Sequence, residues 1–286
     1  MKFSTVVLRV LSVFVAVSVV QILAGALVAI VLPPKDIPPD IMRHILQWMF
    51  LTNAVTVAAL SVLALRTEWR GWTLGLAVAA VPAAIAFLNG IEGAIFLRNA
   101  HIEWPRILLT TAVGAALSVP VWTWLFGRRR RDDAHEHFHP IISKSRGERV
   151  WKFVISDVAF LTLYLVAGTI IFPYIKDFYA TQTIPSMRTI FALQLLVRGP
   201  AFVVLCLLLV RMLGLPRLSG ALAVGAVFTL LSGVAPLLMP NPYFPDSVRW
   251  MHFYEVTSSN FVFGAIVGWL WGQSKLAPTQ VLSHAA

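Results

Sequence analysis

Long apolar runs separated by short polar segments make up most of the chain. Eight of these runs have about the 20 residues with which an α-helix crosses the hydrocarbon core of a bilayer. They cover residues 5–32, 45–66, 71–97, 106–126, 151–175, 187–213, 219–239 and 251–272. None alternates as a transmembrane β-strand does, and a helix satisfies its own backbone hydrogen bonds in lipid. The pattern predicts an all-α, polytopic integral membrane protein with about eight transmembrane helices.

Five prolines fall within or near the predicted spans: Pro82, Pro120, Pro173, Pro200 and Pro236. Proline has no backbone N–H, and its ring crowds the preceding turn of a helix. We expect kinks at these positions rather than breaks.

The two halves of the chain share short matches that occur in the same order. The longest are LAVAAV at 76–81 with LAVGAV at 222–227, and WLFG at 124–127 with WLWG at 269–272. The shorter ones pair Ala24-Gly25 with Ala167-Gly168, Lys35-Asp36 with Lys176-Asp177, and Leu46-Gln47 with Leu193-Gln194. All offsets lie between 141 and 147 residues. Order and constant offset together indicate an internal duplication.

A duplicated unit with four spans must repeat in the same orientation, which predicts two tandem parallel four-helix repeats related by an axis along the membrane normal. The predicted organisation is a first repeat at 1–127, a linker at 128–150, a second repeat at 151–275 and a short tail at 276–286.

Composition agrees with a lipid environment. Hydrophobic residues make up 58% and charged residues 13% of the 286 residues, whereas a soluble domain carries about 25% charged residues. A net charge of +10 could point to nucleic acid, but no basic stripe with interleaved aromatic residues exists outside one loop. The predicted partner is therefore the lipid bilayer, and no nucleic acid is expected.

The basic residues indicate an orientation. Of the 23 Lys and Arg residues, 15 fall on one side of the predicted spans and 7 on the other, with Arg198 inside a span. Cytoplasmic loops carry the excess of Lys and Arg. We predict a multi-pass protein of the plasma (inner) membrane whose N- and C-termini are cytoplasmic.

Metal and cofactor signatures are weak. His135, His137 and His139 alternate in the basic linker, but a loop without supporting groups is a poor metal site. His252 and Glu255 share a helix face and could bind zinc together with Glu92 and His101, but the companion residues of known metalloproteases are missing. The chain contains no nucleotide-binding loop or nucleophile elbow. We therefore predict no metal and no cofactor.

Ionisable residues inside a membrane are costly and often functional. Asp157 lies near the inner end of its span, and we interpret it as a structural partner of Lys152. Glu92, Arg198 and Glu255 instead share the outer half of the bundle, by the rise of 1.5 Å per helical residue.

Further polar side chains fall at the same depth. Asn89 lies on the helix face of Glu92, and His252 lies on that of Glu255. The predicted site is a single outward-facing polar cluster whose members are Glu92, Arg198, Glu255, His252, Asn89 and Asn260. Arg198 could simply neutralise a carboxylate, or the cluster could bind a ligand and move protons.

Three functions remain open. The first is a small transporter for an anionic or zwitterionic solute, by analogy with repeats that meet around a polar site. The second is a membrane enzyme acting on a lipid or lipid-linked substrate at the outer leaflet. There, Glu255 or Glu92 would be the acid or base, Arg198 an anion clamp and His252 a proton shuttle. The third is a non-catalytic subunit that docks a partner.

The charged positions are where the two predicted repeats differ. Glu92 aligns with Leu238, Glu255 with Thr110, and Arg198 with Leu51.

Overall fold

A computed structural model describes residues 3–33, 39–97, 103–127, 145–239 and 245–272. These residues form eight long helices and no strand. The helices are α1 (Phe3–Val31), α2 (Pro39–Arg66), α3 (Gly71–Phe96), α4 (Trp104–Phe126), α5 (Arg146–Ala180), α6 (Met187–Leu213), α7 (Arg217–Leu238) and α8 (Asp246–Trp271).

Seven of these helices, α1 to α7, are long and apolar enough to cross a membrane. Helix α8 has 26 residues but carries Asp246, Arg249, His252 and Glu255 in its first three turns. The chain is an all-helical, multi-pass membrane protein. We call the end of the bundle at which α1 begins the inner end and the end at which α8 begins the outer end.

The helix bounds follow the apolar runs closely, except that α2, α5 and α8 begin five or six residues earlier, and α5 also ends later. This helix has 35 residues, or about 52 Å at 1.5 Å per residue, and it begins five residues before the predicted second repeat. Ser145 explains the early start, because its Oγ accepts a hydrogen bond from Glu148 N at 3.1 Å and caps the helix. Most of the predicted linker and the whole tail lie outside the described residues.

The predicted partner of Asp157 is wrong. Lys152 Nζ donates to Glu148 Oε1 at 2.6 Å, one helical turn away, and is occupied there. Asp157 Oδ1 has no hydrogen-bond partner among the described residues. It lies against Gly199 of α6, where an added Cβ would come within 2.0 Å of it.

Close packing in the two halves involves aligned positions. An added Cβ on Gly75 would lie 2.3 Å from Thr123 Oγ1, and one on Gly268 would lie 2.7 Å from Ala221 Cα. Gly75 aligns with Ala221, and Thr123 aligns with Gly268, at offsets of 146 and 145 residues. Helices α3 and α4 therefore approach each other at positions that align with those at which α7 and α8 approach each other.

A second aligned contact lies at the inner end. Gly71 N donates to Gly127 O at 3.3 Å, and Arg217 Nε donates to Gly272 O at 3.3 Å. The two donors align with each other, and so do the two acceptors. These equivalences agree with a duplicated scaffold, although the repeat remains a prediction.

Two of the five prolines accompany a change in helix geometry. Pro82, Pro120 and Pro173 lie in continuous α-helix. Pro200 and Pro236 each follow a π-helical turn, formed by Gln194–Arg198 in α6 and by Leu230–Val234 in α7. A π turn holds one extra residue, is often found at functional sites, and here lies next to a proline that cannot donate a backbone hydrogen bond.

Candidate ligand-binding cavity

A cavity of about 340 Å³ lies in the outer half of the bundle. Its volume is in the range of small-molecule sites. The cavity is lined by residues of α3 to α8, so both halves of the chain contribute to it. All six residues of the predicted polar cluster line it: Asn89, Glu92, Arg198, His252, Glu255 and Asn260.

Arg198 is the centre of one group of side chains in this cavity. Its Nη1 donates to Glu92 Oε1 at 2.5 Å and to Gln194 Oε1 at 3.1 Å. Its Nη2 donates to Asn89 Oδ1 at 3.1 Å. Gln194 Nε2 also donates to Glu92 Oε1, at 2.8 Å. The guanidinium further lies over the Phe202 ring, with its Cζ 5.1 Å from the ring centroid.

The local helix geometry explains how this group assembles. Gln194 and Arg198 are the first and last residues of the π turn in α6, and both are buried. Asn89 and Glu92 are three residues apart on α3 and therefore share a face. A buried charge is tolerated only when it is paired and hydrogen-bonded. Glu92 of α3 supplies the opposite charge, and Glu92 and Asn89 both accept hydrogen bonds from Arg198.

Glu255, His252 and Tyr179 form a second group of side chains in the cavity. His252 Nδ1 lies 2.7 Å from Glu255 Oε2, and His252 Nε2 lies 3.0 Å from Tyr179 Oη. A carboxylate can only accept hydrogen bonds, so an ionised Glu255 requires the proton on Nδ1. In the neutral imidazole, Nε2 then accepts from the Tyr179 hydroxyl. The three side chains form a directed chain of hydrogen bonds from phenol to carboxylate.

Glu255 of α8 and Tyr164 of α5 each keep a polar group available to a ligand. Glu255 Oε1 makes no hydrogen bond with the described residues and lies near Gly168, whose added Cβ would be 3.6 Å away. The Tyr164 hydroxyl likewise makes none within the described part of the chain. Tyr164 interacts electrostatically with Glu92, Arg198 and Glu255.

Asn260 lies deeper and braces α8 against the π turn of α7. Its Nδ2 donates to Ser232 Oγ at 2.8 Å, and Ser232 Oγ donates to Phe228 O at 2.6 Å. Asn260 is 8% exposed. Both residues line the cavity, and their hydrogen bond fixes the distance between two of its walls.

Four phenylalanines close the cavity on its inner side. Phe160, Phe202, Phe228 and Phe263 come from α5, α6, α7 and α8, and each is at most 5% exposed. Their rings meet edge to face in a closed circuit, with centroids 5.3 to 5.6 Å apart. We call these four residues the aromatic floor.

A polar layer lies directly above the aromatic floor. Each phenylalanine lies four residues, about one helical turn, from a polar lining residue on its outer side. The pairs are Phe160 with Tyr164, Phe202 with Arg198, Phe228 with Ser232, and Phe263 with Ser259. The polar region of the cavity therefore ends abruptly, one turn below this polar layer.

Five polar residues of the site were not among the predicted six: Tyr164, Tyr179, Gln194, Ser232 and Ser259. Tyr179 lies near the end of its span, where aromatic residues usually anchor helices at the interface, and Tyr164 lies among apolar residues of the same helix. Their spacing of 15 residues is close to four helical turns and places both on one face of α5. This spacing could have indicated that they belong to the same wall.

No group of three or more His, Cys, Asp or Glu side chains is arranged to hold a metal ion within the described part of the chain. His101 and the linker histidines lie outside it. Comparison with protein-family models, curated proteins and solved structures finds no match for the chain.

Proposed function

We propose that this membrane protein captures a small ligand from its outer side and exchanges a proton with it through Glu255. The observation that supports this most directly is the chain Tyr179–His252–Glu255, which ends in a carboxylate oxygen with no protein partner among the described residues. A structural ion pair would not need a cavity of about 340 Å³ beside it. The pairing of Arg198 with Glu92 then maintains the shape of the site.

In this proposal Glu255 is the general base. Its Oε1 takes a proton from an N–H or O–H group of the ligand, and the electron pair of that bond stays on the ligand atom. His252 donates to Oε2 and holds the carboxylate in place, while Tyr179 fixes the tautomer of the imidazole. General acid–base groups of this kind contribute about 10²- to 10⁴-fold to a reaction rate. The site is one-sided, which suits a membrane enzyme that acts on a molecule at the outer leaflet.

Transport is the second candidate, and the π turns favour it. The turns of α6 and α7 lie next to Phe202 and Phe228 of the aromatic floor. Helix geometry with an extra residue and an adjacent proline can rearrange at low cost. Rearrangement of these two turns would open the aromatic floor to the inner half of the bundle.

Purification in native lipid followed by mass spectrometry of retained molecules tests the proposal. We expect the wild-type protein to retain a small molecule that Glu255→Gln loses by at least about tenfold, the effect of a lost charge-assisted hydrogen bond. Asp157→Asn is the matched control, because it removes an intramembrane carboxylate that does not line the cavity. Equal retention by all three proteins, or retention of bulk lipid only, would overturn the proposal.

The retained molecule then separates the two candidates. Wild-type protein in proteoliposomes should convert it chemically if the site is an enzyme. Uptake of the unchanged molecule would favour transport.

A further inference from the structure

The charges of the cavity do not fit the anionic or zwitterionic solute that the sequence suggested. Among the described lining residues, the acidic side chains are Glu92 and Glu255 and the permanently basic one is Arg198. Arg198 and Glu92 neutralise each other. Glu255 has no Lys or Arg partner among the described residues, and its hydrogen bond with His252 needs no charge on the imidazole.

Arg198 has little capacity left for an anion. Three of the five guanidinium N–H groups already donate to Glu92, Gln194 and Asn89. A fourth, on Nε, is buried without a partner among the described residues and cannot reach a ligand. Bidentate binding of a carboxylate or phosphate needs two parallel N–H groups. At most one Nη2 hydrogen remains, so Arg198 cannot bind an anion through two parallel hydrogen bonds.

Aromatic rings form much of the lining of the cavity. The rings that line the cavity include those of Trp104, Phe160, Tyr164, Tyr179 and Phe263. Ring faces attract cations through their quadrupoles, and aromatic walls with a carboxylate are the usual arrangement for binding an ammonium group. The ring of Phe202 already serves Arg198 in this way.

We infer that the ligand is a small organic cation, a protonated amine, whose charge is balanced by Glu255 and whose apolar part lies against the aromatic walls. This inference rests on the proposed function, because it names the class of molecule that the same cavity takes. An amine with an N–H group also supplies the proton that Glu255 accepts.

Cysteine labelling in nanodiscs tests charge preference at the site. Cys206 is fully buried and is replaced by Ser. Ser259→Cys then places a thiol on the cavity wall, one turn inward from Glu255. Ser258→Cys is the control, because it places a thiol at the same depth on the exposed face of α8. The reagents are a trimethylammonium-ethyl and a sulfonato-ethyl methanethiosulfonate, each rate being normalised to that with free 2-mercaptoethanol.

We expect Ser259→Cys to react faster than Ser258→Cys, and to prefer the cationic reagent by at least about fivefold, as expected from one nearby unscreened charge. Addition of Glu255→Gln should remove this preference, whereas Asp157→Asn should leave it. Labelling of Ser259→Cys that is no faster than that of Ser258→Cys would overturn the proposed function. Fast labelling with equal or greater preference for the sulfonate would overturn the cation inference alone.

A measurement on the wild-type protein avoids dependence on the variants. Benzyltrimethylammonium, benzyl alcohol and benzoate share one ring and carry charges of +1, 0 and −1. Isothermal titration should detect binding of the cation and at least about tenfold weaker binding of the other two. Benzoate binding as tightly as the cation would contradict the inference.

Discussion

The two four-helix halves of the chain agree in packing and differ in chemistry. In α1–α4 and in α5–α8, the third and fourth helices approach at aligned small residues and are joined at the inner end by aligned hydrogen bonds. The π turns, Arg198 and the chain from Tyr179 to Glu255 occur only in the second half. The first half contributes Asn89 and Glu92, which complete the site of the second. Both halves therefore contribute side chains to the cavity, and its polar groups are unevenly divided between them.

Replacement of Arg198 should cause the largest loss of stability. Arg198→Met gives the second half an apolar residue, as the first half has at Leu51. Glu92 would then be left without its cation. Breaking a buried pair costs about 3–5 kcal/mol, and we expect about 3 because 26% of the Glu92 side chain is exposed. Thermal unfolding in detergent measures the loss.

The double variant Arg198→Met/Glu92→Leu should recover most of this stability, since neither charge then remains unpaired. Arg211→Met on the same helix is the control. Its guanidinium lies 5.3 Å from the centroid of the Trp69 ring, a contact that contributes about 0.5–1 kcal/mol. If the double variant were no more stable than Arg198→Met, the pair would not be the reason for the loss.

The packing shared by the halves predicts an intermediate effect. Gly75→Ala places a methyl group 2.6 Å from Val119 O, and Gly268→Ala places one 2.7 Å from Ala221 Cα. Both contacts are with backbone, so the helices must move apart, which typically costs about 1–3 kcal/mol. Gly25→Ala is the control because its methyl group meets nothing within 4 Å. A loss in only one half, measured by thermal unfolding, would show that the two interfaces are not equivalent.

The smallest expected effect concerns Tyr179, which aligns with no tyrosine in the first half. Tyr179→Phe removes the hydroxyl that lies 3.0 Å from His252 Nε2 and should lower stability by about 0.5–1.5 kcal/mol. Tyr174→Phe on the same helix should change nothing, because Tyr174 is 73% exposed. Differential scanning fluorimetry of the two variants side by side checks this. Equal shifts would mean that the bond to His252 contributes nothing.

Much of the fold follows from the sequence because lipid imposes a simple rule. An apolar run of sufficient length must be a helix, so the bounds of α3, α4 and α6 could be predicted to within two residues. The six polar residues could also be predicted to lie near one another, since their depth follows from the rise of a helix. Their actual partners could not, because rotation of each helix about its axis is set by packing between helices.

The remaining features depend on tertiary structure. Five prolines have the same local chemistry, yet only Pro200 and Pro236 accompany π turns, so the difference comes from neighbouring helices. The aromatic floor combines four residues from four helices, and apolar residues within spans carry no signal that distinguishes them. Asp157 lacks its predicted partner because Lys152 pairs instead with Glu148, which lies one turn earlier on the same helix.

The aromatic floor also has an electrical consequence. Water that enters the cavity carries the potential of the outer solution down to the floor, so the transmembrane voltage falls across the apolar layer below it. A charge that crosses the full voltage gains about 2.3 kcal/mol per 100 mV, but a cation held beside Glu255 has crossed almost none of it. Binding at this site should therefore be insensitive to membrane potential, and only movement past Phe202 and Phe263 would be driven by it.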